Sequence, residues 1–372
     1  MKVGIIHWSF RTLAGAERLC LSLIEKLKEE GHEVWLVSAD IPKNDAIKSA
    51  FEKEIQIDRT MFFPISFHGL ERYKSFPSFP WIRSFLADTD LVVNTHWGYV
   101  PVPISGKPYI IYLQNPLALF PKPYDLLQRF YSIPHFIWLK IFRKLQKDIA
   151  LISNSGFIKK WVTENWHEDS FVVHPPVETR KYLPLFSNEE RENLIISIGM
   201  FVPRKRHMDQ IKILAKALKT TDVKLVIIGR QRETGVLEKM KELAHKLNVS
   251  KNLVLEPDAP FGKLLFYLKK GKIFLHTMRD GPFEIAPLEG ICAGLIPIVQ
   301  DSGGPREYVP PEFRFKNLDE AAELVIRYLD DVNYKRSKVQ FIEIAKKFDE
   351  EVFKNKMMDV IHHVFHHKRI RS

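Results

Sequence analysis

Cysteine is nearly missing from this chain. Cys20 and Cys292 are the only two in 372 residues, too few for a disulfide framework, which points to a reducing compartment. Long apolar runs are missing as well. No window approaches the roughly 20 consecutive apolar residues that cross a bilayer. Met1 leads straight into Lys2-Val3-Gly4-Ile5-Ile6, a strand pattern rather than a secretory leader. Together these absences predict a cytoplasmic protein, at most peripheral on the cytoplasmic membrane face. No GxGxxG follows the first strand, so the dinucleotide fingerprint is absent and a dehydrogenase is excluded. The net charge of +11 raises nucleic acid, an anionic membrane face or an anionic substrate as partners. A nucleic-acid-binding protein is the rival raised by charge alone, but no recognition-helix, zinc or RNA-binding motif accompanies it. Nucleic acid is therefore not expected.

What is present is an alternation of short apolar runs and helical periodicity. The length suits two domains, and 45% apolar with 27% charged residues is a globular composition that can bury two cores. Residues 2–8 read as a strand. The small-residue turn Ala14-Gly15-Ala16-Glu17 leads into a helix with Leu19, Leu23, Ile24 and Leu27 on one face, and residues 33–38 return as a strand. Further strand runs fall at 91–93, 109–113, 149–153, 194–199, 223–229, 252–256 and 272–276. Such βα repetition predicts an α/β fold with parallel, doubly wound sheets, and ligands at the C-terminal ends of the strands.

Residues 275–309, LHTMRDGPFEIAPLEGICAGLIPIVQDSGGPREYV, concentrate the chemistry. Asp280, Gly281 and Pro282 form a turn, and Pro287 suits the first turn of the helix that carries Glu289. A buried strand, 296–299, then reaches Ser302-Gly303-Gly304-Pro305, whose amides are expected bare ahead of another helix. Unpaired amides at a helix entrance bind anions. A carboxylate beside one glycine loop and an amide nest at the next would suit a nucleotide sugar, hydroxyls on the first and phosphate on the second. The same residues also fit an ordinary parallel-sheet core with plain turns. Residues 200–207 add Arg204, Lys205 and Arg206 in a loop after a strand, suited to a diphosphate or to plain solvation.

Phe283, Glu289, Gly294, Pro297, Gly303 and Gly304 resemble the motif of family 4 glycosyltransferases, the retaining enzymes of the GT-B fold. Ser302-Gly303-Gly304-Pro305 is most like the mannosyltransferases that add α1,2-mannose to dolichol-linked oligosaccharide. Further elements fall in family order. These are the 14–17 loop, His96 at a strand end, Ser153-Asn154-Ser155, Val173-His174-Pro175-Pro176-Val177 and Lys205. The resemblance implies two Rossmann-like domains facing across a cleft, 1–177 on the acceptor side and 178–349 for the nucleotide sugar. A helix from 350 to 372 would return to the first domain, with a hinge region at 178–193.

The resemblance also implies roles. Lys205, Arg204 and the amides of Gly303 and Gly304 would hold the departing diphosphate. Glu289 would accept from the ribose, and His96 would face the donor sugar. Gly15 and Ala16 would lie against the diphosphate near the acceptor. No cofactor and no metal are implied. The departures are Ala14 for the loop's first glycine, Met200 for the usual arginine, Gly281 for the motif's first glutamate and Glu284 for its glycine. Asp280 or Glu284 would then read the sugar, with Phe283 between them. The activity implied is transfer of a hexose, mannose favoured, from a nucleoside diphosphate sugar to a hydroxyl of a lipid-linked or membrane-associated glycan. A sugar-nucleotide binder with little catalysis is the rival within the fold.

Two stretches suit an anionic membrane surface. Met61-Phe62-Phe63 and Phe67 through Trp81 mix aromatics with Arg72, Lys74 and Arg83, and residues 120–150 interleave rings and aliphatics with Arg129, Lys140, Arg143, Lys144 and Lys147. Packing under loops is the plain alternative for the first, and a helix packed in the first domain with solvated lysines for the second. The terminal His362, His363, His366 and His367 read as a solvated basic chain end.

Overall fold

The runs Val3–Ile6, Val34–Val37 and Leu91–Val93 carry no polar alternation, the mark of strands covered on both faces. In the computed structural model, which describes residues 1–10, 14–40, 44–51, 53–62, 76–95, 101–114 and 126–371, they belong to one parallel sheet. Its strands are β1 (Lys2–Ile6), β2 (Glu33–Ser38), β3 (Arg59–Phe62), β4 (Leu91–Asn94), β5 (Tyr109–Leu113), β6 (Ile149–Ser153) and β7 (Phe171–Val172). Their order is β3-β2-β1-β4-β5-β6-β7. The second sheet holds β8 (Leu194–Ile198), β9 (Lys224–Gly229), β10 (Leu253–Pro257), β11 (Ile273–His276), β12 (Ile296–Gln300) and β13 (Arg314–Phe315), in the order β10-β9-β8-β11-β12-β13. Every strand pair in both sheets is parallel. The predicted pair of doubly wound, Rossmann-like units is therefore what forms. Strand order reverses between β1 and β4, and again between β8 and β11. At such switch points adjacent loops diverge and leave a crevice beyond the strands' C-terminal ends.

The first unit is Met1–Pro176 together with Glu351–Ser372, and the second is Val177–Glu350. In the first, helix Gly15–Glu29 buries Leu19, Leu23, Ile24 and Leu27, and the Glu17 carboxylate accepts the Ala14 N–H at 2.8 Å to cap it. Helix Glu350–Arg371 inserts Phe353, Met357, Met358 and Ile361 into the same core. Each such side chain contributes about 1.5–3 kcal/mol of transfer free energy. Lys354 adds a contact to Glu25 at 2.9 Å.

Residues 178–193, the expected hinge region, are partly helical. Thr179–Phe186 is a helix whose Tyr182 is buried in the second core. Apolar burial at one face outweighs the breaking tendency of Pro184. Arg191 shows why this segment is fixed. Its guanidinium donates to the carbonyls of Asn188 (3.2 Å), Leu268 (3.0 Å), Gly271 (2.6 Å), Leu185 (2.7 Å) and Ala293 (2.6 Å). A lysine cannot reproduce that planar fork. Arg191→Lys is expected to lower stability by about 2 kcal/mol or more, because part-buried carbonyls left without a donor cost about 1 kcal/mol or more each. Urea unfolding measures it, and an unchanged midpoint would remove Arg191 as the clamp.

Candidate active site

Three loops at the C-terminal ends of β8, β11 and β12 meet at the switch point of the second unit. The loop after β8 turns through a short 3-10 segment, Pro203–Lys205, and Arg206 ends it with a left-handed φ of 57°. Arg206 is anchored to Asp209, Nε to Oδ2 at 2.7 Å. Thr277, just past β11, shares its hydroxyl proton between the carbonyls of Lys205 (3.1 Å) and Arg206 (3.0 Å). That fastening aims the Lys205 side chain across the gap between β8 and β11.

There it meets Glu284. The carboxylate is ion-paired with Lys205 Nζ, and both side chains are largely buried. The same Oε2 lies 3.3 Å from Nε2 of buried His276, an approach not aligned as a hydrogen bond. Burial would raise the Glu284 carboxyl, but the Lys205 charge and His276 overrule it and hold the group far below the usual carboxylate range. Burial lowers His276 from its ordinary 6.5, the Lys205 charge lowers it further, and Glu284 opposes both. Beneath the loop, Tyr308 donates to the carbonyls of Glu284 (2.6 Å) and Phe283 (3.2 Å). The rings of Phe283, Tyr308 and Phe348 pack at tilted and edge-on angles with centroids 5.4–5.7 Å apart.

Glu284 sits at φ 65°, a backbone conformation that favours glycine. Gly281 is its complement. A Cβ at 281 would fall 2.5 Å from Glu284 Cγ and 3.0 Å from its Oε1, so the Glu284 side chain fills the space a side chain at 281 would enter. Gly303 is equally constrained. Its φ is 70°, and a Cβ would lie 2.4 Å from the Gly281 carbonyl oxygen. The Gly303-Gly304 loop can thus lie backbone to backbone on the 280–283 turn. The Ser302 hydroxyl accepts the Asp280 N–H at 3.0 Å.

That close packing corrects two expectations. The glycine loop enters only a four-residue 3-10 turn, Gly304–Glu307, rather than a full helix. Its amides are not both bare, because Gly304 N–H is donated to the Gly281 carbonyl at 2.8 Å. Among the described residues Gly303 N–H has no acceptor.

Lys205, Asp280, Glu284, Gly303 and Gly304 are therefore brought together. Phe283 lies below them, and Glu289 is buried on helix Ile285–Cys292, which opens at Glu284. Arg204 is exposed and has no ion pair with a described residue. Asp280 is exposed, unlike Glu284. Gly15 and Ala16 begin helix Gly15–Glu29 of the first unit. His96 lies outside the described residues. His276 and Thr277 were missed by sequence reading. The strand-end logic that singled out His96 would have found them, since both follow an apolar strand and precede a turn.

Residues 13–181 match the family model Glycosyltransferase Family 4, and residues 184–348 match Glycosyl transferases group 1. The chain carries a glycosyltransferase family 4 domain in its first half and a glycosyltransferase group 1 domain in its second. A Dictyostelium discoideum relative, GDP-Man:Man(3)GlcNAc(2)-PP-Dol alpha-1,2-mannosyltransferase, is 27% identical over 97% of this chain and 84% of its own length. The mouse protein of that name is 32% identical over 43% of this chain, a stretch covering 35% of the mouse sequence. Among solved structures, a glycosyltransferase from Rickettsia africae superposes with a TM-score of 0.73 at 14% identity, covering 98% of each chain. Anabaena HepE, solved with UDP and glucose, gives 0.74 at 14% identity over 97% of this chain and 99% of that one. At such identity the likeness is one of fold, the GT-B fold with its two Rossmann-like domains. Among the described residues, no helix of this glycosyltransferase is long and apolar enough to cross a membrane.

The buried histidine gives the glycosyltransferase a pH signature. His276 binds its proton less readily folded than unfolded, so stability falls as pH drops below about 6.5 and stops falling below the folded value. Glu284 acts lower. Its depressed carboxyl supplies stability that is present above the unfolded value near 4.5 and drains away beneath it. Urea unfolding of His276→Asn from pH 7.5 to 5 is expected to show a shallower loss than the parent. Parallel curves would mean His276 does not titrate on unfolding.

Proposed function

We propose that this glycosyltransferase moves mannose from GDP-mannose to a hydroxyl of a lipid-linked glycan, with retention at the anomeric carbon. The activities of the mannosyltransferase relatives support the donor and the acceptor class. The observation that carries the site assignment is the Glu284–Lys205 pair at the switch point, with Gly281 leaving room for it. In this reading the bond from sugar C1 to the diphosphate oxygen breaks while a bond from C1 to the acceptor oxygen forms on the same face. The acceptor proton passes to the departing diphosphate. Lys205, Arg204 and the Gly303 amide neutralise the charge that grows on the leaving group, which is preorganised electrostatic stabilisation. Glu289 accepts from the ribose hydroxyls.

Glu284 reads the sugar hydroxyls in place of the carboxylate missing at 281. The motif's glutamate and glycine have exchanged positions 281 and 284, and the glycine-type φ at 284 is what the exchange left behind. Asp280, exposed to solvent, is the weaker candidate.

Transfer from GDP-mannose to a lipid-linked acceptor tests the reading. Lys205→Ala is expected to lower kcat by about 100-fold or more, and unchanged turnover would end its diphosphate role. Glu284→Gln is expected to lose activity similarly. Gly281→Glu alone is expected to be inactive from collision with Glu284. The double variant Gly281→Glu/Glu284→Gly should recover much of the lost rate, and failure to recover while folded would refute the exchange.

The acceptor side has its own support in helix Leu126–Leu145 of the first unit. Ile133, Ile137, Ile141 and Leu145 recur every four residues and are 47%, 54%, 41% and 49% exposed. Lys140, Lys144 and Lys147 are exposed beside them, whereas Arg143 is paired with Glu168 at 2.7 Å. An aliphatic stripe flanked by cations fits the headgroup zone of an anionic bilayer, where each cation adds about 1 kcal/mol. Co-sedimentation with vesicles containing phosphatidylserine is expected for the parent and reduced about 10-fold or more in Ile137→Glu/Ile141→Glu. Equal binding of both would assign the membrane contact elsewhere.

A further inference from the structure

Away from the sugar-nucleotide site, the turn between helix Gly15–Glu29 and β2 meets the C-terminal helix at three potential metal ligands. Nε2 of His32 lies 3.9 Å from Glu30 Oε2, and Nε2 of His362 lies 3.8 Å from that same oxygen. All three donor atoms fall within 4.8 Å of one another. Lys26 engages the other oxygen, Glu30 Oε1, at 3.4 Å, leaving Oε2 turned to the histidines. His32 Nδ1 is 3.4 Å from the Met1 nitrogen; for Nε2 to ligate, Nδ1 must carry the ring proton and donate it to the amine as its free base. The His32 Nε2 atom is buried and has no hydrogen-bond partner. An orphaned buried nitrogen normally calls for a partner that the described atoms do not supply.

We propose that Glu30, His32 and His362 bind a divalent transition-metal ion of the Zn2+ class and so clip the C-terminal helix to the turn ahead of β2. Two imidazoles and one carboxylate favour such an ion over Mg2+ or Ca2+, which select all-oxygen shells. Bond lengths of about 2.0–2.2 Å place tetrahedral ligand atoms about 3.4 Å apart. Binding must draw the three donor atoms, within 4.8 Å of one another in this structure, together to that spacing. The partly exposed His362 leaves the fourth position to water. The role is structural. The clip joins positions 30 and 362, which are distant in sequence, and it stands apart from the metal-free transfer chemistry expected of the family. The clustered histidines of the chain end thus acquire a specific member, His362, through a partner pair that no local pattern at the C-terminus reveals.

The test is competition of the purified full chain against a chromogenic chelator for Zn2+, with Co2+ absorption as a second readout. One equivalent is expected to bind, with Co2+ giving the visible bands of a four-coordinate site. His32→Gln and Glu30→Gln should each weaken binding by at least about 10-fold, while His363→Gln/His366→Gln should not. Metal-free unfolding of each variant confirms that the comparison is between folded proteins. Affinity unchanged in both His32→Gln and Glu30→Gln would overturn the site and assign binding to the histidine-rich end of the helix alone. Absence of stoichiometric binding at micromolar Zn2+ would overturn it as well.

Discussion

A carboxylate taken out of water costs several kcal/mol unless a counter-charge meets it at close range. Glu284 imposes that demand on the second unit, and the surrounding architecture answers it. Lys205 is turned inward and ion-paired, its loop is tied down by Thr277, and neutral His276 closes the remaining side. Backbone at a left-handed φ carries the carboxylate there, and a residue without a side chain clears its path. Pairs of this kind add little net stability, because desolvation consumes most of the Coulombic gain. What they provide is position: a lysine ammonium and a carboxylate held in one geometry before any ligand arrives.

The setting that makes this possible is topological. Parallel strands with a reversal of order leave one gap per sheet where two neighbouring loops part. In the second unit that gap lies between β8 and β11, and the loops after both supply the pair. The first unit has a gap between β1 and β4, where His7 Nδ1 lies 2.9 Å from Thr95 Oγ1. Gln114, past β5, donates to the Thr95 carbonyl at 2.7 Å. Each sheet thus brings a buried histidine to its switch point, one beside a hydroxyl and the other beside a carboxylate. The difference follows from what the next loop offers.

Most of the fold was readable because apolar runs of four to six residues and helices of period 3.6 leave strong signatures. The strands at 33–38, 109–113 and 149–153 lie where the pattern put them. Lys205, Glu284 and the glycine pair were readable as candidates because motif order marked them. Their mutual geometry was not. That Glu284 occupies the space above Gly281 depends on a backbone torsion, and torsions at a turn are not encoded in periodicity. The spent amide of Gly304 likewise depends on two loops touching across strands that are apart in sequence. The helix at 179–186 was missed because polar residues and a proline mask a single buried face built around Tyr182.

The first unit is assembled from two separated stretches of chain, with residues 177–350 between them. Its core includes Phe353, Met357, Met358 and Ile361, and Phe353 meets Tyr112 with ring centroids 6.5 Å apart. A ribosome delivering the chain from its amino end therefore completes the second unit's core before the first is closed. Until the last helix emerges, the apolar residues it covers, Tyr112 among them, stay open to water, a surface of the sort chaperones hold. Ordered synthesis makes the earliest-made unit the last to be sealed.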